Sequence, residues 1–587
     1  MDPILQELVD EWFKLDQDET TRNEVSQLIK AEDYATLKQI MHPRIGFGTS
    51  GLRAEIGAGF ARMNCLTVIQ ASQGFAEYLL QTVPSAAKLG VVIGHDHRHK
   101  SNTFARLTAA VFLQKGFKTY FFDHLVHTPL VPFAVKTLGT AAGVMITASH
   151  NPAAYNGYKV YWGNGCAIIP PHDKGIAACI EKNLTPITWD KNLVENHKLA
   201  DRDFAVGLLK NYWSQLHEFH SENNFSLEMK SLKFVYTPIH GVGLPFVTSA
   251  LHLFGEQGDM ISVPLQDSPN PDFPTVKFPN PEEEGALDLA YEQADANGIS
   301  YVLATDPDAD RFAFAEKING AWRRFTGDEV GCILAYFIFQ EYKNVGKPID
   351  DFYVLSTTVS SAMVKSMAKV EGFHHVETLT GFKWLGNKAL ELEKQGKFIG
   401  LAYEEALGYM VGSIVRDKDG VNALITFLHL LKRLQLQNLS ITEVFEQMSK
   451  KYGYYTTQNS YFLSRDTPKL RALVDALRHY DTKSGYPATL GSKKITNVRD
   501  LTTGYDSSST DGKATLPVSK SSDNVTFELE NGEVIMTIRT SGTEPKLKFY
   551  ICARGHSLED SIKNATEVKQ AIKSEWFHPQ QNGLEEP

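Results

Sequence analysis

A serine that follows a buried strand is the first group in this sequence that could do chemistry. Ser149 lies in Thr147-Ala-Ser149-His150-Asn151-Pro152, directly after the apolar run AGVMI. Polar turns at the ends of buried strands are common places for reactive groups in α/β proteins. Ser149 is therefore a candidate nucleophile or phosphate carrier, although the same residue types also form ordinary turns. The G-x-S-x-G elbow is absent around it, which argues against a hydrolase triad.

Three aspartates at alternate positions form a second candidate site. Asp306, Asp308 and Asp310 follow the strand pattern ISYVLAT and precede FAFA. Their charges repel one another unless a cation lies between them, and a ligand set of oxygens alone selects a hard ion, Mg²⁺ or Ca²⁺. The loop is not an EF-hand, because Arg311 and Lys317 stand where that motif needs Gly and Glu. The alternative, an acidic loop exposed to solvent, is disfavoured by the apolar flanking sequence.

Two glycine-containing segments at opposite ends of the chain have the composition of phosphate-binding loops. They are Gly48-Thr49-Ser50-Gly51-Leu52-Arg53 and Arg539-Thr540-Ser541-Gly542-Thr543-Glu544-Pro545-Lys546. Glycine frees the backbone, the hydroxyls donate hydrogen bonds, and the guanidinium adds a planar pair of donors. The second segment is not a P-loop, because GxxxxGK[ST] is absent. Each could be a plain turn, but together they suggest two anion contacts in one cleft, or one ligand with two phosphates.

A pair of carboxylates, Glu404 and Glu405, follows the strand pattern KFIGLAY and lies shortly before Gly408. Carboxylates next to glycine can accept hydrogen bonds from sugar hydroxyls. The same pattern is also typical of a charged helix start, which is the favoured interpretation when the segment is taken in isolation.

The elements that must position these groups follow an alternating pattern. Helical and apolar strand patterns alternate up to about residue 180, and again from Leu232 and from Asp328, which predicts parallel α/β units. From about Tyr454, short strands precede a closing helix, which predicts an α+β domain. The resulting domains are a helical extension at 1–44, α/β domains at 45–205, 206–325 and 326–453, and an α+β domain at 454–587.

Composition excludes several classes of protein. The 587 residues are too many for one hydrophobic core. No apolar run reaches the roughly 18 residues of a membrane helix, and the acidic start does not resemble a signal peptide. The five scattered cysteines fit a reducing compartment, and the net charge of -10 disfavours nucleic acid and anionic membranes. We expect a cytoplasmic protein with a small-molecule substrate and no obligate protein partner.

Taken together and in this order, the segments resemble the α-D-phosphohexomutase superfamily from about Gly46 to Ile551. TASHNP, DPDADR and RTSGTEP in one chain are a highly specific combination. Further stretches are similar to the same family, namely NGYK with Lys159, TPIHGVG, TGFK with Lys383, and RDKDG with Lys418. NGYKVYW, PHDKGI, LTGFKW and RDLTTGYD look closest to the phosphoglucomutase-2 (phosphopentomutase) branch, which includes glucose-1,6-bisphosphate synthase.

The resemblance implies four domains around a central cleft, three of them α/β and the last α+β. It implies that Ser149 is phosphorylated in the resting enzyme and that one Mg²⁺ per chain is held by the phosphoserine and by Asp306, Asp308 and Asp310. His150 and Lys159 are the implied acid and base. The implied substrate-binding residues are Thr49, Ser50, Arg53, Lys383, Glu404, Lys418, Arg539, Ser541, Gly542 and Thr543.

The implied reaction interconverts a sugar 1-phosphate with a 5- or 6-phosphate through a sugar bisphosphate, with glucose 1,6-bisphosphate or ribose 1,5-bisphosphate as activator. Ala406 stands where many members of the family have Ser, which favours a pentose phosphate. Three alternatives stay open: a glucose-1,6-bisphosphate synthase with an acyl-phosphate donor, a non-catalytic phosphosugar-binding protein, and an aspartyl-phosphate hydrolase at Asp306. The hydrolase is disfavoured because that class usually has Thr or Val at the position of Asp310.

Overall fold

The computed structural model describes residues 1–225, 231–255, 260–464, 466–481, 485–520, 523–540 and 545–586. These residues belong to two compact units. Unit 1 comprises Met1–Thr326, Phe382–Gln395 and Leu407–Gln437, and unit 2 comprises Gly327–Gly381, Gly396–Ala406 and Asn438–Pro587. Among the helices in the described ranges, none combines the length and the apolar composition needed to cross a membrane.

The N-terminal residues of unit 1 form three helices, as their spacing predicts. They are α1 Pro3–Leu15, α2 Glu19–Lys30 and α3 Tyr34–Met41. Each begins after an aspartate whose side chain accepts an N–H from the first turn, and these caps are Asp2, Asp18 and Asp33. The apolar faces pack on Ala58, Phe60 and Leu66, and the ring centroids of Trp12 and Phe60 lie 5.2 Å apart. The helices therefore share one core with residues 58–66.

A six-stranded sheet follows in unit 1. Its elements are β1 Leu52–Glu55, α4 Cys65–Thr82, α5 Ala86–Leu89, β2 Val91–His95, α6 Ser101–Gln114, β3 Thr119–Phe121, α7 Leu130–Leu138, β4 Ala142–Ile146, β5 Tyr155–Trp162, α8 His172–Glu181, α9 Leu193–Asn196, β6 Ala200–Asp201 and α10 Phe204–Glu222. The strand order is β1-β5-β4-β2-β3-β6. β2 is parallel to β3 and β4, whereas β5 is antiparallel to its neighbours. All residues of β2 and β4 are buried, because helices cover both faces of these strands.

A second sheet of unit 1 carries the aspartate loop. Its elements are β7 Phe234–Thr237, α11 Gly243–Leu253, β8 Met260–Ser262, α12 Asp288–Ala296, β9 Tyr301–Thr305, β10 Phe312–Ile318 and β11 Ala321–Arg324, in the strand order β11-β10-β9-β7-β8. β7 is parallel to β8 and β9, and β9 and β10 form an antiparallel hairpin. The aspartates lie in the connection of this hairpin, between Thr305 and Phe312.

The third region contributes to both units. Its elements are α13 Gly327–Asn344, a 3₁₀ turn at Ile349–Asp351, β12 Phe352–Thr357, α14 Met363–Glu371, β13 His374–Thr378, α15 Phe382–Glu393, β14 Phe398–Glu404, β15 Gly408–Val411, α16 Gly420–Leu436 and α17 Ile441–Tyr452. In unit 2, β12 lies between β13 and β14 and is parallel to both. Helices α15 and α16 belong to unit 1.

An antiparallel sheet occupies the C-terminal part of unit 2. Its elements are β16 Tyr454–Leu463, α18 Thr467–Arg478, β17 Thr489–Leu490, β18 Lys493–Asp500, β19 Tyr505–Asp506, β20 Asn524–Leu529, β21 Val534–Thr540, β22 Lys546–Gly555, α19 Leu558–Ala571, a π-helical turn at Ile572–Phe577 and α20 Pro579–Asn582. The order is β16-β22-β21-β20-β18-β17, with β19 paired to β18. Three α/β regions followed by an α+β region confirm the predicted fold class; the boundaries at 44, 205, 325 and 453 stay predictions.

Candidate active site

Ser149 lies in unit 1, three residues after the end of β4, and its backbone is left-handed with a φ of 54°. The Ser149 amide donates to Thr147 Oγ1 at 2.8 Å, which fixes the turn. Its hydroxyl donates to Asp306 Oδ2 at 2.9 Å. His150 Nδ1 lies 3.4 Å from the same hydroxyl, at the long limit of a hydrogen bond. The turn therefore directs the serine oxygen towards the aspartate loop.

The three aspartates predicted to bind metal form one buried cluster, and a ligand oxygen from each lies within 4.8 Å of the other two. Burial and the charges of Asp308 and Asp310 raise the pKa of Asp306 well above its usual value. Oδ1 of Asp308 and Oδ1 of Asp310 are buried and accept no hydrogen bond from the described residues. Such oxygens need a positively charged partner, so the donor set fits a hard divalent cation.

Lys159, from β5, contacts two of these carboxylates. Its Nζ lies 2.7 Å from Asp308 Oδ2 and 2.9 Å from Asp310 Oδ2, and Lys418 Nζ lies 3.2 Å from Asp310 Oδ2. Burial alone would lower the pKa of Lys159, but the two carboxylates outweigh it and the pKa is raised. Burial would likewise raise the pKa of Asp308, but the contact with Lys159 lowers it.

The electrostatic surroundings of His150 are opposite to those of Lys159. Loss of solvent lowers the pKa of its imidazole well below the usual value, and the nearby cations Arg311 and Arg53 lower it further. The ring is thus neutral near pH 7, while Lys159 is charged. The two side chains predicted to exchange protons therefore stand in different protonation states beside Ser149.

The loop of residues 48–53 lies against α15 and against residues 147–155, the serine loop. Arg53 Nη1 donates to Asn151 Oδ1 at 3.2 Å, and Lys383 Nζ donates to Thr49 Oγ1 at 2.5 Å. Gly51 has a φ of 72°, and a Cβ at this position would lie 1.7 Å from a backbone oxygen of β5, so only glycine fits. Unit 1 thus gathers most of the predicted residues: Thr49, Arg53, Ser149, His150, Lys159, Asp306, Asp308, Asp310, Lys383 and Lys418. Ser50 lies beside Thr49 in the same loop.

Two further predicted residues belong to unit 2. Arg539, in β21, donates a hydrogen bond to Thr380 Oγ1. Glu404 is the last residue of β14, so the favoured isolated interpretation of its segment as a helix start is wrong. Ser541, Gly542 and Thr543 lie outside the described residues.

Sequence reasoning missed two residues that support the site. Thr128 donates its hydroxyl to Asp308 Oδ2 at 2.6 Å and its amide to the Asp308 carbonyl at 2.9 Å. Arg98 donates to backbone oxygens of the serine loop, including that of Ser149 at 2.5 Å. Arg98 had a usable signal, because it follows the buried strand β2 and polar groups after neighbouring parallel strands meet at one sheet edge. Thr128 precedes helix α7, and no feature of the sequence indicated its contact with Asp308.

Comparison with known proteins identifies the family. Three successive family models match the chain: phosphoglucomutase/phosphomannomutase α/β/α domain I at residues 44–186, domain II at 210–319 and domain III at 326–452. The solved structure of a Paramecium phosphoglucomutase, parafusin, in its open form, covers 90% of this chain and 96% of its own, with a TM-score of 0.62 and 18% identity. That likeness supports the fold.

Relatives span nearly the whole chain. Human phosphopentomutase is 44% identical over 98% of this chain and 96% of the relative, and Saccharomyces cerevisiae phosphoribomutase is 43% identical with the same coverage. Human glucose 1,6-bisphosphate synthase is 40% identical over 99% of this chain and 96% of the relative. The chain therefore belongs to the phosphoglucomutase/phosphomannomutase family of the α-D-phosphohexomutase superfamily, in the branch that contains these relatives.

Proposed function

We propose that the chain is a mutase that interconverts sugar 1-phosphates with 5- or 6-phosphates and carries the phosphoryl group on Ser149. One observation carries the proposal: the Ser149 hydroxyl lies 2.9 Å from Asp306, within a buried cluster of three aspartates. A nucleophile that contacts the donor set of a hard cation suits phosphoryl transfer, which depends on positioning and charge neutralisation. The mutase and phosphopentomutase relatives support the same activity.

Asp306, Asp308, Asp310 and the phosphorylated Ser149 would hold one Mg²⁺. Oδ1 of Asp308 and Oδ1 of Asp310, which accept no hydrogen bond from the described part of the chain, favour such an ion. Bound Mg²⁺ would neutralise part of the phosphoserine charge and polarise the transferring group. The remaining steps depend on the protein's own side chains.

In the proposed cycle, Arg539, Ser541, Gly542 and Thr543 hold the non-reacting phosphate of the sugar phosphate, and Glu404 accepts hydrogen bonds from its hydroxyls. The free hydroxyl attacks the phosphoryl group on Ser149, and His150 or Lys159 exchanges the proton. The resulting bisphosphate reorients in the site. Its other phosphoryl group is then transferred to the serine, which releases the isomeric sugar phosphate. Added glucose 1,6-bisphosphate or ribose 1,5-bisphosphate would keep Ser149 phosphorylated.

The proposed substrate is a pentose phosphate, with glucose phosphate as a weaker one. Ala406 supplies no hydroxyl to the sugar, and two of the relatives named above act on pentose or ribose phosphates by name. The second candidate function is glucose-1,6-bisphosphate synthesis from an acyl phosphate, because the chain is 40% identical to human glucose 1,6-bisphosphate synthase.

The decisive experiment compares kcat/KM for α-ribose 1-phosphate and α-glucose 1-phosphate, with Mg²⁺ and a trace of glucose 1,6-bisphosphate. We expect a clear excess for ribose 1-phosphate and no net release of inorganic phosphate. A clear excess for glucose would make the chain a phosphoglucomutase and remove the argument from Ala406. Faster bisphosphate formation from 1,3-bisphosphoglycerate than isomerisation would favour the synthase.

Substitution of Arg539 tests the proposed phosphate contact. Arg539→Ala should raise KM for the sugar phosphate by about 10-fold or more, because a charge-assisted hydrogen bond contributes roughly 1.5–3 kcal/mol, with a smaller change in kcat. Steady-state kinetics measures both. The control is Arg554→Ala on neighbouring β22, where the side chain is exposed. An unchanged KM for Arg539→Ala would place the phosphate elsewhere.

A further inference from the structure

Arg98 lies at the centre of the loop that presents Ser149, although no motif marks it. The side chain is buried, with 3% of the residue exposed. Its guanidinium donates to the carbonyl oxygens of Ser149 and Asn151, each at 2.5 Å, and to those of Pro152 and Tyr155 at 2.9 and 3.3 Å. The serine loop therefore wraps around one cation, with four of its carbonyl groups turned inward.

The guanidinium is itself held in place. Asp96 Oδ2 lies 3.4 Å from Arg98 Nε, and Asp96 Oδ1 accepts from the Arg98 amide at 3.0 Å and from Ser101 Oγ at 2.6 Å. The ring of Phe273 covers the guanidinium at 5.0 Å. Asp96 also donates its amide to the carbonyl of Ile146, the last residue of β4. The charge and position of Arg98 are thus fixed from the strand beside Ser149.

The inward carbonyls determine where the loop amides point. In a trans peptide group the N–H is directed opposite to the C=O, and the bond from Ser149 to His150 is not among the cis bonds of the described chain. Since the Ser149 carbonyl faces Arg98, the His150 N–H faces the opposite side of the loop. Among the hydrogen bonds of the described residues, none is donated by the His150 amide. The next inward carbonyl, that of Asn151, precedes Pro152, which has no N–H.

We propose that Arg98 is a positioning residue for phosphoryl transfer: it turns the Ser149 carbonyl away from the reacting group, so that the His150 amide N–H donates to an oxygen of the phosphoryl group on Ser149. A fixed backbone donor aimed at a phosphoryl oxygen stabilises charge without reorganisation. Without Arg98, four carbonyl dipoles would converge on an empty buried space, and the peptide group would rotate to relieve them. The inference rests on the proposed function, because it needs a phosphoserine.

Arg98→Lys is the first test, because lysine keeps the charge but lacks the planar fork that reaches four acceptors. We expect kcat to fall about 10²-fold, the size of effect seen when one oxyanion donor is lost, while KM stays within about threefold. The matched control is Arg106→Lys on α6, whose guanidinium pairs with Asn102 and Glu195; it should keep kcat within about twofold.

A spectroscopic measurement separates positioning from general destabilisation. The ³¹P resonance and the phosphate pKa of phosphorylated Ser149 should both shift in Arg98→Lys, with the pKa raised relative to the unsubstituted protein because a donor to the dianion is lost. Both should stay unchanged in Arg106→Lys. A normal kcat, or an unchanged ³¹P signal and phosphate pKa in folded Arg98→Lys, overturns the inference.

Asp96→Asn provides a second variant in case Arg98→Lys does not fold. It keeps an acceptor for the Arg98 amide but removes the negative charge beside Arg98 Nε. We expect kcat to fall about 3- to 10-fold, and the ³¹P resonance to shift in the same direction as in Arg98→Lys. Normal kcat and ³¹P signal in folded Asp96→Asn overturn the inference. Failure of the proposed function can be distinguished from failure of this inference. In the first case the unsubstituted protein itself would lack both the phosphoserine resonance and mutase turnover.

Discussion

Ser149→Ala should lose isomerase activity by at least about 10⁴-fold in kcat, the scale of effect seen when a covalent nucleophile is removed. The serine oxygen is the proposed acceptor of the phosphoryl group in every cycle, and alanine has no oxygen at this position. Affinity for the sugar phosphate should survive, since the proposed phosphate contacts lie elsewhere. A coupled isomerase assay and calorimetric titration with ribose 5-phosphate measure the two quantities.

The same substitution at Ser249 is the control. This serine lies on the exposed surface of α11, where its hydroxyl donates to the carbonyl of Pro245, so Ser249→Ala should keep kcat within about twofold. Mass spectrometry should find the phosphate on Ser149 in the unsubstituted protein and in Ser249→Ala, but no phosphate in Ser149→Ala. Isomerase turnover at a normal rate in Ser149→Ala would contradict the phosphoserine scheme.

Asp308→Asn should reduce kcat by roughly 10³-fold or more, the loss expected when charge stabilisation of a transferring phosphoryl group is removed. It should also weaken Mg²⁺ binding. The substitution removes a carboxylate whose Oδ1 accepts no hydrogen bond from the described residues and whose Oδ2 accepts from Lys159 and Thr128. Activity titrated against Mg²⁺, together with calorimetry of Mg²⁺ binding, would measure both effects, and EDTA should inactivate the unsubstituted protein reversibly.

Asp295→Asn is the matched control for this second experiment. Asp295 is exposed and pairs with Lys317 at 2.6 Å, so its loss should leave both kcat and Mg²⁺ affinity within about twofold. If Asp308→Asn bound Mg²⁺ with unchanged affinity, the aspartate cluster would not be the metal site.

The chemical groups of the site could be predicted from sequence more completely than the contacts between them. Ser149 and the three aspartates were predictable because each follows an apolar strand, where a polar turn must reach the sheet edge. The contact of Lys159 with Asp308 depends on how two separate sheets of unit 1 face each other. Local sequence has no information about that packing, which also explains why Thr128 was missed.

The fold, too, could be predicted from the sequence only in part. Parallel α/β units were predictable from alternating helical and apolar strand patterns, but β5 and β10 run antiparallel to their neighbours. Strand direction depends on the connection between strands, and a buried strand has the same apolar composition either way. Helix α16 was not among the predicted elements, although Asn422, Thr426, His429 and Arg433 recur at helical spacing along this mostly buried helix.

The packing of α1–α3 on Ala58, Phe60 and Leu66 has a consequence for how this branch can change over evolution. The family match begins at residue 44, so the three helices lie outside the part that the family model describes. A lineage that lost them would leave Phe60 and its apolar neighbours facing water, a surface that promotes aggregation. Loss of the helices would therefore require polar substitutions at residues 58–66 in the same lineage, and the two segments are expected to be inherited or replaced together.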